Sequence, residues 1–141
     1  MKITVDLNVL LDVAQNRLPH YQTSEEVLHR ARVGEFEAVL PGHAITTLHY
    51  IIEKWSNTHL ANQTIDGLLA DFIIHPSDKT NFQRARQLPL RDFEDALVAS
   101  VAEVTGSEYI VTRNVLDFAG SPVPPITPTE FLETIAGIET E

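Results

Sequence analysis

Cysteine is missing altogether from this chain of 141 residues, which excludes thiolate catalysis, disulfides and Cys-based zinc sites. Long apolar runs are missing too. None exceeds four residues, the longest being Ala96-Leu97-Val98-Ala99, whereas a membrane-spanning helix needs about 20. Asp6, Asn8 and Asp12 interrupt any apolar core of a secretory signal. The expectation is a soluble, cytoplasmic protein with no membrane partner. Basic residues are scarce: 10 Lys and Arg stand against 20 Asp and Glu, for a formal charge of −10. Residues 1–70 carry −3 of that charge and residues 71–141 carry −7. Such a field repels nucleic acid, whose affinity comes largely from phosphate neutralisation. It reads either as a solvated acidic surface or as several acids converging on a cleft that needs divalent cations. Composition does not separate the two.

Several familiar motifs are absent as well. No G-x-x-x-x-G-K-[ST], G-x-G-x-x-G or G-x-S-x-G occurs, which removes the common nucleotide-loop and serine-hydrolase readings. Six histidines are present, but no pair has H-x-x-x-H spacing, so a His-based metal site has no support. A phosphoaccepting receiver domain needs a Lys after a late strand, where Thr112-Arg113 stands, and an Asp after a central one, where His75-Pro76 stands.

What is present is an ordinary globular composition, 43% hydrophobic, in a chain long enough to bury about two thirds of its unfolded surface. Residues 1–134 read as one domain and 135–141 as a short acidic C-terminal tail. Ile3-Thr4-Val5 reads as a strand, followed by helical spacing through Leu7, Leu10, Leu11 and Ala14 until Pro19. Thr23-Ser24-Glu25-Glu26 has the form of a capping box for a helix to about Arg32. Phe36 to Leu40 is strand-like, and a helical period runs from His43 to Trp55. A further helix is expected over 62–71, a strand over 72–74, and a helix from Ser77-Asp78 to about Leu88. The clearest helix spans 92–105, with Phe93, Ala96, Leu97, Val101 and Val104 as its apolar stripe. Tyr109-Ile110-Val111 is a strand, and Thr127-Pro128-Thr129-Glu130 starts a last helix. This alternation predicts a three-layer α/β/α fold around a mainly parallel sheet of about four or five strands.

In such sheets ligands bind beyond the carboxyl ends of the strands. Asp6 ends the first strand and Asn8 follows it. Thr112-Arg113-Asn114 follows a later strand, with Asp117 three residues on. Asp92, Glu94 and Asp95 open the clearest helix, where acids suit the positive end of its dipole. Each has a plainer alternative. Asp6, Asn8 and Asp92 can cap helices, Glu94 can face solvent, and Asn114 and Asp117 can form a turn. Asp95 lies one turn inside its helix, on a stripe with Asp92 and Ala99 where small residues leave room for a partner. Converging carboxylates repel unless a cation is present. Mg²⁺ or Mn²⁺ prefers oxygen ligands and can polarise a phosphodiester.

These residues resemble the PIN domain, the nuclease fold of VapC-type ribonuclease toxins. Four segments carry the resemblance over residues 1 to about 134: Asp6-Leu7-Asn8-Val9-Leu10-Leu11-Asp12, Pro41 to Lys54, Asp92-Phe93-Glu94-Asp95-Ala96, and Tyr109-Ile110-Val111-Thr112-Arg113-Asn114 with Asp117-Phe118. The resemblance implies an Mg²⁺- or Mn²⁺-dependent endoribonuclease acting on RNA, the toxin of a pair with a cognate antitoxin, and a homodimer. It puts the metal-binding acids on Asp6, Asp95 and Asp117. Asn8, Thr112 and Asn114 then orient ligands and water, and Arg113 meets substrate phosphate ahead of Lys54, Arg84, Arg86 and Arg91. The usual acid on the helix after the second strand is Thr47 here, left to contact substrate or water. Its absence and the acidic charge leave an alternative, a PIN-fold module that holds RNA or a protein partner without cutting.

Overall fold

A computed structural model describes residues 1–139 of the chain. Five strands form one sheet: β1 (Lys2–Val5), β2 (Glu37–Pro41), β3 (Ile73–His75), β4 (Tyr109–Val111) and β5 (Pro125–Ile126). Their order is β3-β2-β1-β4-β5 and every pairing is parallel. Seven α-helices join them: α1 (Leu7–Ala14), α2 (Tyr21–Arg32), α3 (Gly42–Trp55), α4 (Thr58–Asp71), α5 (Lys79–Gln87), α6 (Phe93–Val104) and α7 (Pro128–Glu139), with a 3₁₀ turn over Val115–Phe118. Among the described residues no helix is long and apolar enough to cross a membrane.

The period-2 alternation of the strands decides the layers. Ile3, Val5, Ala38, Leu40 and Val111 face one core with α1, α2, α3, α4 and α7, while Ile110 faces the other with α6, Phe118 and Val123. Leu48 and Ile52 of α3 are fully buried in the first core, which stabilises the fold by about 2 kcal/mol each. The result is the expected three-layer α/β/α fold. The chain winds outward from β1 to β3 on one side, then returns to place β4 on the other side of β1. Strand order reverses there, so the crevice between the carboxyl ends of β1 and β4 is where a ligand site is expected.

The structure differs from the sequence expectations in four places. α2 begins at Tyr21, and its N-cap residue His20 makes no side-chain cap bond. The Thr23 hydroxyl instead donates to the His20 carbonyl at 3.1 Å and Ser24 is fully buried, because packing against α1 outweighs local capping. α4 starts four residues early, since Asn57 accepts from the Leu60 N–H at 2.8 Å and caps it. α6 is buried across seven consecutive residues, Ala96 to Ala102, while Phe93 and Val104 are exposed. It lies between the sheet and α5, so no one-sided stripe exists, and Ala99 packs into the core rather than facing a partner. Residues 135–139 of the expected tail continue α7, with Ile135 buried in the first core. Positions 140 and 141 of that tail lie outside the described residues.

One close approach fixes where α3 starts. A Cβ on Gly42 would come 2.9 Å from the His75 carbonyl oxygen, so a glycine is needed where α3 starts beneath the end of β3.

Candidate active site

Asp6 leaves β1 in extended conformation and caps α1, its Oδ1 accepting from the Leu7 N–H at 2.9 Å. Its Oδ2 accepts from the Thr112 hydroxyl at 2.9 Å and from Asn8 Nδ2 at 3.2 Å. Thr112, fully buried at the exit of β4, also accepts from Asn8 Nδ2 at 3.2 Å and from the Asn114 N–H at 3.0 Å. One donor and two acceptors exhaust a hydroxyl, so Thr112 has a single orientation. Asn8 Oδ1 in turn accepts from the Arg113 N–H at 3.3 Å. These bonds tie the exits of β1 and β4 together and fix Asp6 between them.

The other acids arrive from α6 and the 3₁₀ turn. Asp92 is the N-cap of α6, its Oδ1 accepting from the Asp95 N–H at 3.0 Å. The Asn114 carbonyl accepts from the Asp117 N–H at 3.0 Å and holds the turn that presents Asp117. Pro89, Arg91, Asp92, Asp95, Leu116 and Asp117 line one cleft of about 580 Å³. A second cleft of about 510 Å³, lined by Met1, Phe36 and Ile73 among others, lies at the opposite ends of the strands, away from the crevice where order reverses.

Burial and mutual repulsion act on these carboxyls together. Asp95 is pushed up to about 7, first by burial and then by the charges of Asp6, Asp92, Asp117 and Glu94. Asp6 is raised above its ordinary value by burial, against the bonds from Thr112 and Leu7 that lower it; Glu94 and Asp117 raise it further. The carboxylates of Asp95 and Asp117 accept no hydrogen bond among the described residues. Like-charged oxygens without donors suit a hard divalent cation in chemistry. Among the described residues, however, no three His, Asp or Glu side chains stand in a ready metal-ligand arrangement. The donor set fits such an ion in kind.

The sequence-predicted residues therefore divide. Asp6, Asn8, Thr112 and the Asn114 backbone share one hydrogen-bonded network, and Asp92, Asp95 and Asp117 share the cleft. Thr47 is half-buried on α3, makes no hydrogen bond to any of them and does not line the cleft. Arg113 is placed elsewhere: its Nε donates to Asp12 at 2.6 Å, and it lines a separate pocket with His20, Thr23 and Thr127. A phosphate contact by Arg113 is not what this geometry supports, because fully buried Asp12 draws the guanidinium toward α1.

Two residues passed over in the sequence belong near this centre. Glu94, expected to face solvent, is half-exposed yet raises both Asp6 and Asp95. His43, in the first turn of α3, lies 3.9 Å from Glu94. Both its ring nitrogens are buried without a hydrogen bond, and burial holds its pKa below the ordinary value although Glu94 opposes this. Its position just after β2 was the signal, but a search for paired-histidine spacing passes it over.

The raised value of Asp95 predicts a dependence of stability on pH. The unfolded chain releases this proton near 3.8 and the folded chain near 7. The stability Asp95 contributes is thus complete below about 3.8 and lost as pH rises toward 7. In chelator, Asp95→Asn is expected to melt above the parent chain at about pH 8, with the margin shrinking by about pH 5. Thermal melts at both values measure it, and a margin that does not narrow on acidification would remove the repulsion assigned here.

Comparison with known proteins agrees with the architecture. A family model described as the PIN domain matches residues 2–116. Ribonuclease VapC1 of Aquifex aeolicus (strain VF5) is 25% identical over 137 residues, spanning 94% of each chain. Among solved structures, the sarcin-ricin loop cleaving toxin VapC20 of Mycobacterium tuberculosis superposes with a TM-score of 0.72 at 13% identity, covering 89% of this chain and 99% of that one. VapBC2 of Rickettsia felis, bound to a promoter DNA fragment, gives 0.71 at 15% identity, covering 90% and 98%. At such identities the structural matches speak for the fold.

Proposed function

The chain belongs to the PIN-domain family, and from that premise we propose that it is a divalent-metal-dependent endoribonuclease, the toxin of a toxin–antitoxin pair. One observation carries the reading: Asp95 and Asp117 line one cleft without any donor, close enough to Asp6 that its charge and that of Asp117, after burial, help push Asp95 up to about 7. Sites that shift a carboxyl so far are candidate sites of function. Asp6, Asp95 and Asp117 would hold the ion, Mg²⁺ or Mn²⁺. Glu94, whose charge raises both Asp6 and Asp95, would be the further carboxylate available where Thr47 supplies none. Once bound, the ion would stabilise the charge that develops on the phosphodiester and make hydroxide available as nucleophile near neutral pH.

The chain's own residues prepare that site. Thr112 and Asn8 lock Asp6 in one rotamer, so that little is lost in ordering it when the ion enters. Asp92 fixes the first turn of α6 and with it the direction of Asp95. Asn114 holds the turn bearing Asp117. The ribonuclease relative and the toxin–antitoxin structure among the matches support RNA as substrate and an antitoxin as partner. A second copy of the chain and a cytoplasmic location complete the proposal.

The alternative module, which holds RNA or protein without cutting, is favoured by one observation: among the described residues no three acids are closed into a ligand set. One experiment separates the two. RNA incubated with the chain is expected to be cleaved in millimolar Mg²⁺ or Mn²⁺, spared in chelator, and cleaved again when Mn²⁺ is restored. No cleavage with either ion, together with no heat in a Mn²⁺ titration, would establish the binding module instead.

A further inference from the structure

The cleft that holds the carboxylates holds one guanidinium, that of Arg91. It is exposed, and among the described residues it makes no hydrogen bond, ion pair or ring contact. The other cations considered for a phosphate contact are engaged or do not line the cleft. Arg113 is tied to Asp12. Arg84 donates twice to Glu103, at 2.8 and 3.1 Å, and Lys54 sits over the Tyr50 ring at 5.6 Å. Lys79, Arg17 and Arg86 have no carboxylate partner but do not line the cleft.

The backbone that carries Arg91 is anchored on both sides. Leu90 packs against the α6 core, and Asp92 is the α6 N-cap. Pro89 meets the opposite wall at Gly120, where an added Cβ would lie 3.1 Å from Pro89 Cγ; Gly120 also holds φ +90°, a conformation that favours glycine. Arg91 thus projects from a fixed point at the amino end of α6, where the helix dipole favours an anion. Its planar fork of donors matches phosphate oxygens. In a chain of charge −10, a free guanidinium beside the three acids of the cleft is the local feature that lets a polyanion approach.

We propose that Arg91 grips a backbone phosphate of the RNA, next to the one that is cut. The assignment rests on the ribonuclease reading above and gives Arg91 the role the sequence gave to Arg113. It binds substrate and moves no proton.

The test uses the Asp95→Asn chain, which holds RNA uncut, and a fluorescein-labelled unstructured oligoribonucleotide of about ten nucleotides. Anisotropy titrations over a range of monovalent salt give the affinity and its salt slope. Adding Arg91→Ala is expected to weaken binding several-fold, equally for different sequences. It should also lower the salt slope by about 0.7, the value of one single-strand phosphate contact. Arg91→Lys should keep the slope and lose part of the affinity, since a point charge replaces the fork. In the otherwise unaltered chain, Arg91→Ala should raise KM and leave kcat within about twofold. An unchanged affinity and slope in Arg91→Ala, with RNA still cut by the parent chain, would overturn the assignment alone. A parent chain that neither binds nor cuts RNA would instead overturn the ribonuclease reading.

Discussion

Asp95→Asn is expected to abolish RNA cleavage, lowering the rate by about a hundredfold or more, the scale on which losing one electrostatic element of a preorganised site is felt. The substitution is nearly isosteric and removes one negative charge. It spares the α6 cap, because Asp92 accepts from the backbone N–H of residue 95. It also relieves repulsion, so the fold should be at least as stable as before. Loss of activity with an unchanged or raised melting point then points to the carboxylate's chemistry and not to misfolding. Cleavage in Mn²⁺ by purified parent and variant measures it, and equal rates would defeat the role given to Asp95.

The second large effect is on stability. Asp12→Ala is expected to cost about 3 kcal/mol or more, the range for removing one partner of a buried ion pair. Asp12 is 0% exposed, its Oδ2 accepting from Arg113 Nε at 2.6 Å and from the Ser24 hydroxyl at 3.3 Å. The Arg113 side chain is only 25% exposed, so most of it would be left buried without a counter-charge. The cost has an upper limit, because Asp12 Oδ1 already lacks any partner and its removal recovers a desolvation penalty. Asp12→Asn keeps an acceptor for Arg113 and should cost clearly less. Urea unfolding of the three chains tests the ordering. If alanine and asparagine were equally harmful, shape rather than charge would be the cause.

The layer order and most elements were legible because strand and helix periods differ and this chain keeps both. That Asp6 stands at the exit of β1 and that Asp95 and Asp117 share a cleft followed from one rule, that ligands gather where parallel strands end, together with the resemblance of four segments. What was not legible depended on distant partners. Arg113 looked free because Asp12, 101 residues earlier, gave no local sign of reaching it. The Thr23–Glu26 box looked like a helix start, yet Ser24 was needed against Asp12 and α2 begins at Tyr21. The stripe on α6 was misread because a helix enclosed on every side has no face to display. Arg91 was one of four weaker candidates beside Arg113 until Arg113 proved tied to Asp12 and Arg91 alone of the five lined the cleft.

The enclosure of α6 makes the latitude of this chain lopsided. Asp95 stands on a helix whose next two turns are wedged on all flanks by the sheet and α5, so an extra methyl at Ala96 or Ala99 has nowhere to go and tilts the platform beneath the carboxylate. Asp117 rides on a short turn of which Phe118 is the one buried side chain. Drift in sequence is therefore costly well below the acid on α6 and cheaper around the acid on the turn, and if the two hold an ion as proposed, that latter jaw is the one free to adjust to its radius.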